Sequence, residues 1–354
     1  MITKDILETI LSQAVFAPSG DNSQPWHFEI KNEDILVYNY PDRDLPFYNF
    51  RQCGSHVGHG ALLENIVILA TKYGYSASIS LFPRGNEDTL VARVSFTFVP
   101  GIAPDPLADF IAKRTTNRRP YVTEVIAPQV REKVAAIASI GGIEMSFIYD
   151  TEKIKNISNA SVTNEMTVLT TEQIHKFFFK HVVWSEAEEK EKRSGLYVKT
   201  LEMPKPQEMA FRIASHWFFM RVFNALGITK KIAADNAKLF RASPAFLVFM
   251  SKGDSPNDFI NTGRMLQRVW LLCTKEGLSA HPVTGVLFLY QRVKANAAEG
   301  ISTKSQDLIR TSYQQISNEC GAGEREVLFI LRIGKASPPS AMSSRLKPNI
   351  LYST

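Results

Sequence analysis

The sequence predicts an α+β fold in which helices alternate with paired strands, and three observations carry that reading. Apolar residues recur at helical spacing in Ile6, Leu7, Ile10, Leu11 and Ala14. Short runs at 28–30 with 35–40, and at 76–82 with 90–99, alternate apolar and polar residues around turn signals. A chain of 354 residues, 44% apolar and 10% aromatic, suits packed globular structure with room for two domains.

Composition narrows the function classes. The formal charge of +6 is modest and is not gathered into one basic arm, which argues against nucleic acid. No run of 18 apolar residues suggests a membrane span. The first residues lack a charged start followed by an apolar core, so a cytoplasmic protein is expected. Cys53, Cys273 and Cys320 are too far apart for a disulfide framework or a metal site.

The first helix gives way to Pro18, Ser19, Gly20, Asp21, Asn22, Ser23, Gln24, Pro25 and Trp26. Pro18 and Gly20 stop the helix, while Ser19, Asp21 and Asn22 favour local side-chain turns. Such a loop at a sheet rim presents N–H groups, a hydroxyl and an amide, a wall for a flat polar heterocycle. It also reads as a plain connector closed by a buried Trp. Strands 28–30 and 35–40 follow, joined by a turn at 31–34. The stretch 47–60 runs from aromatic to glycine-rich and opens a helix bearing Ala61, Leu62, Ile66 and Leu69. His56 and His59 flank its entry with no Cys or acid at ligand spacing, so capping roles fit better than metal. Strands 76–82 and 90–99 are joined by a hairpin at 84–88, with Val94, Phe96 and Phe98 on one face. Pro100, Gly101, Pro104 and Pro106 mark a linker.

Beyond it, a helix over 107–113 ends in Arg114, Thr115, Thr116, Asn117, Arg118 and Arg119. Three arginines and two threonines can hold a phosphate by charge-assisted bonds, or form a solvated basic turn. Helix 130–137 and strand 143–149 lead to a mainly helical stretch. It carries Phe177, Phe178, Phe179, Trp184, Trp217, Phe218, Phe219 and Phe223, which at helical spacing read mostly as core. His175 and His181 lie there too, with a proton-transfer role unsupported. The mixed-charge run 186–193 reads as a solvated helix face. Asp235, Asn236 and Lys238 precede strand 245–251, where Lys238 also suits a helix C-terminus. An amphipathic helix over 261–277 buries Leu266, Val269, Trp270 and Cys273, then leads to Pro282, Thr284 and Gly285. Strand 326–334 continues to Ser343, Ser344 and Arg345. Gly321 and Gly323 lack the third glycine of a dinucleotide fingerprint, since Glu326 stands there.

The loop resembles the Pro-Ser-x-x-Asn-x-Gln-Pro-Trp signature of the FMN-dependent nitroreductase family, through Pro18, Ser19, Asn22, Gln24, Pro25 and Trp26. Arg114, Thr116 and Arg118 resemble its basic–hydroxyl–basic element. Lys238 is similar to its pyrimidine-side lysine, with the neighbouring Asn role open between Asp235 and Asn236. Pro282 to Gly285 resembles its Pro-x-x-Gly stretch, although Thr284 stands where Glu is common. Arg345 resembles its terminal phosphate-side arginine, ahead of Arg332. In ordinary members the basic element precedes the loop and comes from the other subunit of a homodimer; here it follows the loop in one chain. The resemblance is therefore to a tandem branch. It implies two related nitroreductase-like halves, 1–106 and 107–354, each with a central, mainly antiparallel sheet flanked by helices. The second half carries a helical insertion at about 151–228.

The resemblance implies FMN held by Pro18, Ser19, Gly20, Asn22, Gln24, Arg114, Thr116, Arg118, Asn236, Lys238, Pro282, Thr284, Gly285 and Arg345. Gly285 would let a backbone approach the ring, and Lys238 would favour the reduced ring. The implied activity is ping-pong, NAD(P)H-dependent reduction of nitroaromatics, quinones or similar acceptors, with no protein nucleophile and no metal. The alternative is an FMN-sequestering store with a lidded flavin and little turnover; flavin destruction or dehalogenation also stays open. The implied partner is a small-molecule electron acceptor, with neither nucleic acid nor membrane, in a monomeric pseudo-dimer or a homodimer.

Overall fold

The N-terminal amphipathic pattern forms α1 (Lys4–Ala14), which buries Leu7, Ile10, Leu11 and Ala14. It packs on α2 (Cys53–Thr71), a helix buried almost all round between β2 (Asp34–Asn39) and β3 (Tyr75–Leu81) in the chain. The computed structural model describes residues 1–44, 49–85 and 88–353. Strands β1 (Trp26–Lys31), β2, β3 and β4 (Leu90–Phe98) make antiparallel pairs in one sheet. Its fifth strand is the tail, β11 (Ile350–Ser353), which lies parallel to β1 with Phe28 opposite Ile350. The alternating pattern of β1 and β2 drives Phe28, Ile30, Ile35 and Val37 into the core under α1 and α2.

The second sheet runs β5 (Glu144–Ile148), β8 (Ala245–Ser251), β10 (Glu326–Gly334) and β9 (Ser279–Pro282), all antiparallel. Every residue of β8 is buried, which explains its unbroken apolar run. One face packs on α3 (Pro128–Ala135) and α11 (Pro256–Lys275). The other packs on α4 (Thr151–Ser161), α12 (Gly285–Lys294) and α13 (Thr303–Cys320). Between β5 and β8 come α5 (Thr163–Thr170), α6 (Glu172–Lys180), α7 (Glu186–Lys192), α8 (Lys205–Ala214), α9 (Trp217–Ala225) and α10 (Ile228–Arg241), with short strands β6 (Val182–Val183) and β7 (Leu196–Tyr197) pairing in parallel. Helices α6, α8 and α9 build a satellite core of their own around Phe179, Ala214 and Met220.

The two sheets are joined through α2 and α11, which cross at two glycines. A Cβ on Gly60 would lie 2.0 Å from the Ile260 carbonyl oxygen, and one on Gly263 would lie 2.0 Å from that of Val57. No other residue fits there. Buried polar bonds fix the register: Glu64 accepts from Arg264 at 3.0 Å and Arg268 at 2.6 Å, and Gln267 donates to Asn65 at 2.7 Å.

Most predicted elements appear within two residues of expectation, with four differences. Residues 107–113 form only a 3₁₀ turn, Ala108–Phe110, because Pro106 and the basic cluster leave too short a run to nucleate a helix. The helix expected at 261–277 starts earlier, at Pro256, under a Ser255/Asp258 capping box. Phe98 is exposed, so the predicted Val94–Phe96–Phe98 face is buried only at its Val94 end. Strands β9 and β11, and the short β6 and β7, had no sequence signal. The start of the 47–60 stretch and the centre of the 84–88 hairpin lie outside the described residues.

Candidate functional site

The loop after α1 is held in an unusual backbone shape. Asp21, Asn22 and Gln24 all have positive φ, at 46°, 57° and 50°, a conformation non-glycine residues rarely adopt. Local bonds sustain it: the Gln24 N–H donates to Ser19 Oγ at 3.0 Å, and the Gln24 amide donates to the Asn22 carbonyl at 3.2 Å. Gln24 is fully buried and ties three chain segments together. Its Nε2 donates to the Arg193 carbonyl at 2.8 Å, and its Oε1 accepts from Leu346 N at 2.9 Å. Asn22 Nδ2 donates to the Ser344 carbonyl at 3.1 Å, while its buried Oδ1 has no partner. Strain maintained by surrounding contacts is a mark of ligand-binding loops.

Two arginines converge behind this loop. Arg114 is buried, with its guanidinium over the Trp270 ring at 4.4 Å and NH2 donating to the Phe16 carbonyl at 3.4 Å. Its Nε and NH1 are buried without partners, as is Arg345 Nε. Burial, then the nearby Arg345 charge, pushes the Arg114 guanidinium down to about 9, and burial takes Arg345 down to about 10. Among the described residues neither forms an ion pair. Arg345 and Phe16 border a cleft of about 390 Å³, shared with Lys190 and Arg193. Arg345 is half-buried; its NH1 donates to the Ser343 and Ser344 carbonyls at 2.9 and 3.1 Å, and the Glu189 charge supports its cation. A buried Arg114 with two orphaned donors beside a second guanidinium is unfavourable alone and suits an anion.

The rest of the basic cluster runs beside β9. Thr116 bridges Ala280, and the Asn117 N–H donates to the Ala280 carbonyl at 3.0 Å. Arg118 donates to the Thr200 carbonyl at 3.2 Å; burial lowers its pKa while the Asp21 charge supports the cation. Asp21 in turn is raised by burial and restrained by His181 and Arg118. Pro282 ends β9, Thr284 stands at the N-cap position of α12 with no side-chain cap bond, and Gly285 starts that helix. A Cβ at Gly285 would fall 2.2 Å from the Asn164 side chain, so α5 seats directly on this turn. The next residue, Glu165, bonds Asn236 and Asn164; burial lifts its carboxyl to about 7 and leaves Oε2 unpartnered.

The structure thus groups the predicted residues in two clusters. Pro18, Ser19, Gly20, Asn22, Gln24, Arg114, Arg118 and Arg345 surround the loop and tail. Asn236, Pro282, Thr284 and Gly285 meet under α5, with Thr116 alongside through β9. Lys238 is exposed on α10 and joins neither cluster. The segments between β5 and β8 bond to both clusters, through Arg193 and Thr200 at the first and through Asn164 and Glu165 at the second. Arg332 is an internal tie, fully buried and bonded to His281 Nδ1 at 2.9 Å and the Arg119 carbonyl at 3.0 Å. His59 packs edge-on to Trp26 and bonds the Ser55 carbonyl at 2.7 Å, a packing role. Sequence reading missed Glu189, whose carboxylate accepts from the Ser344 hydroxyl at 2.9 Å, and Glu165. Both lie in the helical stretch between β5 and β8, where no local pattern marks them.

These features define a two-sheet α+β protein with a strained loop, a buried arginine beside a half-buried one, and helices between β5 and β8 packed against both clusters. Sequence relatives place it further. A Mycobacterium tuberculosis protein provisionally named an NAD(P)H nitroreductase is 23% identical over 88% of this chain and 86% of its own. An uncharacterised protein of the same species is 21% identical over 96% of this chain, which spans only 47% of that relative's length. The chain is thus a relative of proteins named as NAD(P)H nitroreductases. No family model matches it. Distant solved structures include an FMN-dependent nitroreductase from Mycobacterium smegmatis in complex with NADPH, 15% identical over 65% of this chain and 88% of that one, TM-score 0.35. An NADPH:FMN oxidoreductase from Vibrio harveyi complexed with NAD+ is 12% identical over 68% and 73%, TM-score 0.36.

Proposed function

We propose that this chain is an FMN-binding oxidoreductase of the nitroreductase type, reducing nitroaromatics, quinones or similar acceptors with NAD(P)H. The observation that carries the reading is Arg114, buried with Nε and NH1 unpartnered, set against the half-buried Arg345 with its own Nε unpartnered, beside the Ser19–Gln24 loop. That donor set fits a terminal phosphate: guanidiniums give directional, charge-assisted bonds to its oxygens. Asn22, Gln24 and Arg118 offer directional groups for the edge of a ring, and Gly285 offers a backbone without a Cβ. The chemistry FMN supplies when bound is electron transfer between NAD(P)H and an acceptor. The protein's part is to hold the phosphate, orient the ring and admit donor and acceptor in turn.

Asn22, Gln24 and Arg118 are engaged by the insertion, and Asn164 occupies the space above Gly285. Ring binding therefore exchanges these contacts, which makes the insertion a cover that opens for turnover. One chain carries both the loop and the basic cluster, so we read it as two related halves, 1–106 and 107–354, with the tail strand returned to the first sheet. The test is reconstitution with FMN, mass spectrometry of the released pigment, and steady-state NADPH oxidation with and without a nitroaromatic. Pigment identified as FMN, with oxidation that the nitroaromatic stimulates, supports the proposal. FMN bound without turnover would move the protein to the storage alternative, and FAD or no pigment would overturn both.

A further inference from the structure

The cover over the site ends in a surface that a water-soluble helix pair does not need. Helices α8 and α9, with the α9 C-cap Leu226, expose Met209, Ile213, Phe218, Phe219, Val222 and Leu226 within 18 residues of sequence, with Phe218 and Leu226 each 70% accessible and Met209 66%. Positions 218, 222 and 226 recur every four residues, which lines them along one side of α9. The opposite side holds Trp217, Met220 and Phe223 in the satellite core. A short helix apolar on both sides is unusual unless something covers the outer one. Charge identifies the covering. Between residues 203 and 231 stand Lys205, Arg212, Arg221, Lys230 and Lys231, against the single acid Glu208. Arg221, Lys205, Lys230 and Lys231 are exposed.

We propose that the α8–α9 hairpin docks on an anionic lipid surface. Outward Phe, Leu, Val and Met side chains enter the headgroup boundary while the flanking Lys and Arg stay at phosphate level. A second copy of this chain fits less well, because a face-to-face pair would set these basic side chains against their own copies. The sequence reading set membranes aside for want of a spanning run, and no helix among the described residues is long and apolar enough to cross a bilayer. A helix lying in the interface needs no such length. The hairpin is tied to the cover over Gly285, since Asn224 on α9 donates to the Leu169 carbonyl of α5 at 2.8 Å.

The experiment is vesicle co-sedimentation of the full chain loaded with FMN. Vesicles of phosphatidylglycerol and phosphatidylcholine in equal parts are compared with phosphatidylcholine alone, at low and high salt. Binding to the anionic vesicles that weakens with salt is expected. Phe218→Ser with Leu226→Ser should reduce vesicle partitioning about tenfold or more, while Phe98→Ser, exposed on β4, should leave it unchanged. Arg221→Glu with Lys230→Glu, which touches no core residue, should abolish the preference for anionic vesicles even where the apolar variant unfolds. Absence of binding, binding indifferent to both double variants, or equal loss with Phe98→Ser overturns the proposal. So does a concentration-dependent dimer that the Phe218/Leu226 variant dissolves.

Discussion

Arg114 and Arg345 carry the proposed phosphate grip, and their expected behaviour separates them from Arg332. Each grip arginine contributes a charge-assisted bond, so Arg114→Ala or Arg345→Ala should weaken FMN about ten- to a hundredfold in a fluorescence titration. Apoprotein stability should fall little or rise, because the repulsion between the two guanidiniums is removed. Arg332→Ala should behave oppositely. It strips bonds from His281 and from the Leu239, Asn117 and Arg119 carbonyls. A loss of about 3 kcal/mol in urea denaturation is expected. Glu165 gives a pH-dependent case. Burial holds its carboxyl near 7, above its unfolded value of 4.5. Between those values the unfolded chain releases the proton and the folded chain keeps it, so folding stability falls as pH rises through the window. Glu165→Gln should therefore gain roughly 1–3 kcal/mol over the parent at pH 8 and nothing at pH 4. Equal effects at both pH values would remove the carboxyl from that role.

At the scale of elements, the α2–α11 crossing leaves no room for a side chain at either glycine, because the nearest atoms are backbone. Gly263→Ala pushes a methyl against the Val57 carbonyl, where backbone rather than a flexible side chain must move. Its helix propensity gain of about 1 kcal/mol is outweighed, and a net loss of about 2–3 kcal/mol is expected by urea denaturation. Gly54→Ala, in the same helix α2, meets the Asn49 side chain at 3.2 Å and the Phe288 ring at 3.7 Å, side chains rather than backbone. That substitution should stay within about 1 kcal/mol of the parent, so the pair distinguishes close approach from general intolerance of alanine.

For the whole molecule, the arrangement of one loop and one basic cluster sets stoichiometry. Titration should reach its end point at one FMN per chain, and two would contradict the reading of the chain as a joined pair of halves. The tail strand has its own test. A chain stopped after Asn349 keeps Arg345 but strips β1 of its parallel neighbour. Opening that edge should lower Tm by about 2 °C or more. An unchanged Tm would mean that β11 adds no stability to the first sheet.

Taken alone, the sequence determined the local parts of this protein. Apolar spacing marked α1, α11 and the paired strands, since period 3.6 and period 2 are written into neighbouring residues. Turn chemistry marked the Pro18–Trp26 loop, and charge clustering marked Arg114 to Arg118. Tertiary structure alone decided what those parts meet. Four residues of β11 carry no pattern, and their partner β1 lies more than three hundred positions away in the chain. The pairing of Arg114 with Arg345, and the seating of Asn164 on Gly285, likewise join segments that share no local signal. Lys238, well placed in the linear pattern, is turned to solvent by the rotation of α10. Periodicity fixes which face of an element is buried, but only packing fixes what stands opposite it. That is why the loop was legible from its residues and the cover above it was not.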